Sequence, residues 1–334
     1  MPVEPASSGE LRVGVDLGGT KIEAVVLRTG DEEPVVLARM RVATDREAGY
    51  EHIVAATAKL IADVTREAGL AELPPIGVGM PGSVTFRSAD GSRSVNALVK
   101  NSNTTCLNGR PFREDLRRAV GQDAIVFAND ANCFALAEAE YGAARGARVV
   151  FGVILGTGVG GGVVFRDAIG ARAWDGLQGI AGEWGHVVLD PSAPLPCYCG
   201  RRGCVERYLC GPAIEAAYAA RAGTNLPLSD IAAARAHDPD ARVVLANVVS
   251  NFGRAIGAVI NVLDPDVVVL GGGVSNLALF YAEGPAAVAR WTFTDELRTP
   301  IVKNALGDSA GVIGAAMLRQ ERSKPSLVSA AKLR

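Results

Sequence analysis

Two stretches of the chain are apolar without polar alternation: LRVGVDLGGTKIEAVVL (Leu11–Leu27) and VVFGVILGTGVGGGVVF (Val149–Phe165). Each reads as an apolar strand, a glycine turn and a second apolar strand, a pattern of sheets covered on both faces. The two align without gaps, Gly14 on Gly152, Leu17 on Leu155 and Gly18 on Gly156. Two copies of one unit predict two related domains facing a shared cleft. They differ at one telling position: Asp16 in the first copy is Ile154 in the second, so only one half carries the carboxylate.

Between the copies the pattern predicts a helix from about His52 to Ala68, a strand at Ile76–Gly79, a turn at Met80–Pro81–Gly82 and a helix near Phe112–Val120. A strand at Ile125–Ala128 then delivers Asn129 and Asp130 to a helix over Asn132–Tyr141. Further on, helices are expected at Pro212–Arg221 and Ala241–Leu263. A strand at Val267–Leu270 ends in Gly271–Gly273 before another helix, and Ile301–Lys303 and Gly311–Arg319 read as a last strand and helix. The ends, Met1–Glu10 and Ser323–Arg334, are polar or small-residue segments expected to be mobile tails.

A chain of 334 residues is long enough for two domains and a large core. The formal net charge of −2 supplies no basic field for nucleic acid or an acidic membrane. The first ten residues hold no apolar core of a secretion signal, and no apolar run approaches the ~20 residues that span a bilayer. The expectation is a cytoplasmic protein.

In a reducing compartment clustered cysteines point to metal before disulfides. Cys197, Cys199 and Cys204 lie within CYCGRRGCVER, with Gly200 and Gly203 between them. A structural zinc site takes four ligands, and His186, in GEWGH, is the best candidate for the fourth. Filling all four positions leaves none for water, so such a site is scaffold. It would hold Glu183 and Glu206, three residues before His186 and two after Cys204, close to each other. Cys106, Cys133 and Cys210 have no such spacing and read as core or surface thiols.

DLGGTK (Asp16–Lys21) sets a carboxylate at a strand end, followed by Gly18, Gly19, Thr20 and Lys21. Such a turn either cradles phosphate oxygens or is a plain hairpin; Asp16 would suit a hydrated Mg²⁺. The second turn, Gly156–Thr157–Gly158–Val159–Gly160–Gly161, satisfies G-x-G-x-x-G, but a dinucleotide fingerprint must lead into a helix and here a strand follows. It is read as a second phosphate-binding hairpin. Asp130 stands beyond a strand and before a helix, open to two roles that are not exclusive: helix cap, or general base for a substrate hydroxyl.

In order, DLGGTK, GMPG, NDAN, GTGVGGG, GEWGH, CYCGRRGCVE and LGGGVSN resemble the ROK family (repressors, open reading frames, kinases) over roughly Val13–Leu318. That resemblance implies an actin-like ATPase fold, two RNase-H-like α/β domains around a cleft. The first would span 11–127, completed by a C-terminal helix at 309–320, and the second 128–308. It implies a hexose kinase using MgATP, with Asp130 as base and Asn103, Asn129, Glu183, His186 and Glu206 as sugar ligands. The two hairpins would hold phosphates and Gly271, Gly272 and Gly273 would approach adenosine. A homodimer is implied as well. Within the family, VKNSNTTCLNGRPF and INVLDPDVVVLGGGVSN look closest to bacterial fructokinases, so fructose is the expected substrate, with another hexose, glucose, mannose or N-acetylated, as the alternative. Cys106 stands where an aromatic residue is expected, which would widen the sugar pocket. Repressors of the family carry an N-terminal helix-turn-helix domain; the ten residues before the first strand are too few for one, and no nucleic-acid partner is expected.

Overall fold

In the computed structural model, which describes residues 9–30 and 32–319, each apolar copy folds as the hairpin its pattern predicts. The strands in chain order are β1 (Leu11–Leu17), β2 (Lys21–Arg28), β3 (Val35–Ala43), β4 (Ile76–Met80), β5 (Ser83–Arg87), β6 (Arg93–Lys100) and β7 (Ile125–Asn129). They continue with β8 (Val149–Leu155), β9 (Val159–Asp167), β10 (Gly170–Ala173), β11 (Val267–Gly271) and β12 (Ile301–Lys303). One sheet has the order β3-β2-β1-β4-β7 and the other β10-β9-β8-β11-β12. In both, an antiparallel hairpin with its edge strand continues into two parallel strands, so the duplication in sequence is a duplication in topology. β1 and β8 even share one burial pattern along seven residues, and Asp16 and Ile154 occupy the same half-buried position.

Two helices lie back to back between the sheets. Asp130–Tyr141 packs on β8 and β9, and Ala310–Met317 packs on β1 and β4. The approach is close because the strands present glycine. A Cβ at Gly14 would collide with the carbonyl oxygen of Val312, and one at Gly152 would stand 2.5 Å from Cβ of Ala135. At the centre a Cβ on Gly314 would strike the backbone of Cys133. Each half thus seats one helix on a matching glycine. Glu138 fastens the arrangement: fully buried, it accepts from the amides of Ala143, Ala305 and Leu306.

The helix Tyr50–Glu67 buries Ile53, Thr57, Leu60, Ile61 and Val64, a stripe with helical period, against the first core. The second core is built around Pro239–Leu263, capped by Asp238. That helix corrects an expectation. It runs 25 residues, with a stretch of mean hydropathy 1.6, long and apolar enough to cross a membrane. One face of it, with Val244, Leu245, Val248, Phe252, Ile256 and Ile260, is instead buried among Phe280, Val288 and their neighbours.

Other differences are local. The helix expected from Asn132 begins two residues earlier, at Asp130. After Gly271–Gly273 the chain makes a 3₁₀ turn (Gly273–Asn276) and two short helices (Leu279–Ala282, Gly284–Ala289) in place of one continuous helix. The pattern also did not predict β3, the β5–β6 hairpin, β10 or the helix Leu228–Ala234. Of the expected tails, Met1–Ser8 and Ser323–Arg334 lie outside the described residues. Gly9 and Glu10 are described, and Glu10 is hydrogen-bonded to Thr29 and paired with Arg12.

Candidate active site

Asp16 leaves the end of β1 and Asp130 follows the end of β7, two strands of the same sheet separated only by β4. Parallel strands deliver their C-terminal ends to one edge, where ligands of open α/β sheets collect. Glu183 arrives from the other half. Gly182, at φ 91°, and Gly185 both pack where a Cβ would strike the backbone of β9, and Trp184 donates from Nε1 to the carbonyl of Gly160. That pinning of GEWGH along β9 fixes where the Glu183 carboxylate stands.

These acids repel one another. Burial pushes the Asp16 carboxyl up to about 6, and the charges of Asp130 and Glu23 push in the same direction against Lys21. Asp130 is raised by desolvation first and by Glu183 next, while the amide of Ala131, 2.8 Å from its Oδ1, pulls it down. Glu183 is raised by burial and by Glu206, with His186 opposing. Asp130 remains exposed to water although protein surrounds it on nearly every side. A raised carboxylate in a cleft is the environment of a general base.

The helix cap is not Asp130. Asn129 caps, accepting from Ala131 N at 2.9 Å, and its amide donates to Gly82 O at 3.0 Å. Both ends of the Asn129 side chain are engaged by backbone, so it ties the Met80–Gly82 turn to the helix start, and it shares the Ala131 amide with Oδ1 of Asp130.

A cleft of about 1000 Å³ brings together Asn103 from the first half with Thr157, Gly158 and Glu206 from the second. Glu206 accepts from the amide of Val159 at 3.0 Å, which places it against the second glycine turn. A smaller cavity of about 50 Å³ holds Asn129 and Glu183. Residues that sequence reasoning missed stand beside them. Thr104 is fully buried, close to Gly19, and its hydroxyl has no partner among the described residues. Gly311 lies where a Cβ would come within 2.7 Å of Asp16 Oδ2. Tyr198 lines the cleft and its hydroxyl is 2.9 Å from His186 Nε2. Thr104 lies within the VKNSNTTCLNGRPF run already quoted and Gly311 at the start of the expected last helix; only their three-dimensional neighbours reveal a role.

Both glycine turns are three-residue hairpin loops. Gly18 N bonds Lys21 O and Gly156 N bonds Gly158 O, and β9 follows the second turn where a dinucleotide fold would need a helix. Lys21 leans on Glu23, 3.5 Å away; the nearly buried Glu23 also pairs with Arg39 and Arg41. The three glycines after β11 differ in their surroundings. A Cβ at Gly271 would meet the Phe134 ring at 2.6 Å and Gly272 has φ 83°, whereas Gly273 faces open space.

His186, Cys197, Cys199 and Cys204 place their ligand atoms within 4.8 Å of one another. His186 Nδ1 is 3.6 Å from Cys197 Sγ, and Cys199 and Cys204 sulfurs are 3.6 Å apart. The ligand–ligand edges of a zinc tetrahedron are ~3.5–3.8 Å, so the four residues fit the ion. The Tyr198 contact at Nε2 orients the ring with Nδ1 toward the sulfurs. Cys133 and Cys210 are buried in the cores and Cys106 packs at the edge of the first.

Comparison with known proteins agrees with this architecture. The profile of the ROK family matches residues 12–322. An N-acetyl-D-glucosamine kinase of Photobacterium profundum is 36% identical over 316 residues, covering 91% of this chain and 98% of the relative. One from Vibrio vulnificus is 35% identical over 315 residues, with 91% and 98% covered. Among solved structures, the ROK hexokinase from Thermus thermophilus superposes with a TM-score of 0.77 at 32% identity, covering 92% of this chain and 97% of that one. The ROK family glucokinase from Streptomyces griseus in complex with glucose and AMPPNP gives 0.68 at 28%, with 92% and 98% covered. The fold is the actin-like ATPase fold.

Proposed function

Because the chain belongs to the ROK family, we propose that it transfers the γ-phosphoryl group of ATP to the 6-hydroxyl of a hexose, with Asp130 as general base. The observation that supports this most is the crowding of acids from both halves: the charge of Asp130 pushes Asp16 up, and that of Glu183 pushes Asp130 up. Asp130 accepts the hydroxyl proton, and Asn103, Glu183, His186 and Glu206 position the sugar. Asn129, with its amide in use, holds the floor beneath it. The amides of Gly19, Thr20, Thr157 and Gly158 face phosphate oxygens, and Gly273 gives adenosine its close approach. Mg²⁺ would stand beside Asp16, whose crowding among negative charges suits a hard divalent cation, and would supply charge neutralisation between the phosphates. The zinc assigned to His186, Cys197, Cys199 and Cys204 is structural and keeps Glu183 and Glu206 together.

The sugar is proposed to be N-acetyl-D-glucosamine. Fructose, the first expectation, finds no support in the relatives above, which are N-acetyl-D-glucosamine kinases, and a cleft of about 1000 Å³ has room for the larger substituent. ADP release measured with N-acetylglucosamine, N-acetylmannosamine, glucose, mannose and fructose tests both statements. The expected outcome is the highest kcat/KM with N-acetylglucosamine. Release with fructose above all others overturns the substrate, and release with none of them overturns the kinase.

A further inference from the structure

A pocket of about 270 Å³ opens where the two halves meet, apart from the cleft. Its walls carry four guanidinium groups and one carboxylate: Arg113, Arg117, Arg172, Arg319 and Asp175. Arg113 and Arg117 come from the helix Phe112–Val120 of the first half, Arg172 from β10 of the second, and Arg319 from beyond the last helix. Their hydrogen bonds leave most of this charge standing. Arg117 donates to the carbonyls of Asp123 and Ile125, and Arg319 to that of Ile169. Carbonyls satisfy donors without cancelling charge. Arg172 has Asp167 at 3.9 Å, at the limit of an ion pair. Nε of Arg113 is buried without a hydrogen-bond partner among the described residues. Arg113 and Arg117 also both lie over the Phe127 ring, 5.5 and 5.1 Å from its centre.

Guanidinium forks present several donors in a plane and match the oxygens of phosphate. Like charges so placed lower each other's stability unless an anion joins them. Desolvation holds the Arg113 guanidinium below its ordinary pKa, with Arg117 contributing and Asp175 opposing. Small-molecule pockets run from ~300 to 1,000 Å³, so this one suits a phosphate carrying a small organic group better than a nucleotide.

We propose that this pocket is a second anion site, taking a dianionic phosphate group, either inorganic phosphate or a hexose phosphate, and that its occupation weakens sugar binding in the cleft. Shared walls supply the route for that coupling. Arg113 and Asp175 line both this pocket and the small cavity that holds Asn129 and Glu183. Asp175 accepts from Nδ2 of Asn132 at 2.7 Å, and Asn132 sits in the first turn of the helix that begins at Asp130. An anion that competes for Arg113 alters the charge facing Asp175 and loosens the tie that sets this turn. Both halves contribute walls, so the occupant also senses the angle between them.

The coupling rests on the hexose kinase reading, whereas the binding does not. Calorimetric titrations with inorganic phosphate and with N-acetylglucosamine 6-phosphate are run on the full chain with the cleft filled by sugar and a non-hydrolysable ATP analogue. The expected result is one further binding event per chain, with the tighter of the two ligands identifying the source. Arg172→Ala, at the pocket rim, and Arg113→Gln each weaken it by at least ~10-fold, and Arg172→Ala leaves basal turnover unchanged. In the wild type alone, the anion lowers sugar affinity by about 5-fold, the lower end of allosteric couplings. Absence of the further event, or its persistence in both variants, overturns the site. Binding that leaves sugar affinity unchanged overturns the coupling. Failure of the analogue to bind shows up in its own titration and counts against the kinase reading, while the arginine variants still decide the anion site.

Discussion

Replacing Asp16 by asparagine separates folding from function at one atom pair. The Asp16 carboxyl stands at about 6 against an ordinary 3.8, because it is buried at the end of β1 and faces Asp130 and Glu23. A carboxyl whose folded pKa lies above its unfolded one binds more protons folded than unfolded. Stability is therefore lost as pH rises from ~3.8 through about 6, and the ionised group costs the folded chain about 3 kcal/mol at 1.36 kcal/mol per pH unit. Asp16→Asn keeps the shape and removes the charge. Without added Mg²⁺, urea unfolding at pH 7.5 should show the variant more stable than wild type by up to that amount, and the difference should shrink toward zero by pH 4. Asp130 and Glu183 are shifted in the same direction, so the wild-type-minus-variant difference, not the wild-type curve, carries the test. Turnover with MgATP should fall sharply in the same variant. A variant no more stable than wild type at pH 7.5, or a difference independent of pH, refutes the reasoning.

Purification without added zinc should yield about one zinc per chain, and Cys204→Ser, at a fully buried ligand, should lose it and lower Tm; metal analysis and calorimetry read both. Glu138→Ala removes the acceptor for three amides and should destabilise the chain by roughly 3 kcal/mol or more, read by urea unfolding, because buried unpaired donors cost ~1–3 kcal/mol each. Gly311→Ala, whose new methyl would stand 2.7 Å from Asp16 Oδ2, should depress kcat with far less effect on sugar KM in steady-state assays.

Legibility in the sequence followed the physics of each element. The duplicated hairpins were readable because strands buried on both faces need unbroken apolar runs, and the gapless match of Gly14 with Gly152 corresponds to two helices seated on two strands. The edge strand β3 was not, since its outer residues Val35, Val36 and Val42 are exposed and polar residues interrupt it. Strands β5 and β6 form a two-stranded sheet of their own, and of their apolar residues only Leu98 and Val99 are buried, too few for a pattern. Spacing alone brought together the four zinc-ligand candidates. Asp130 was visible as a carboxylate between strand and helix, but its neighbour Asn129 proved to be the cap. The buried hydroxyl of Thr104 and the clearance at Gly311 depend on contacts between residues distant in the chain, which no local pattern encodes. The substrate was the least legible feature, because a sugar is chosen by the shape of a cleft that both halves build.

The proton acceptor is the centre of the proposed chemistry, and Asp130→Asn tests it directly. With N-acetylglucosamine and MgATP, ADP release should drop by at least ~10²-fold, the lower range for loss of a general base, while sugar binding measured by calorimetry persists. Near-normal turnover in that variant would contradict the assignment.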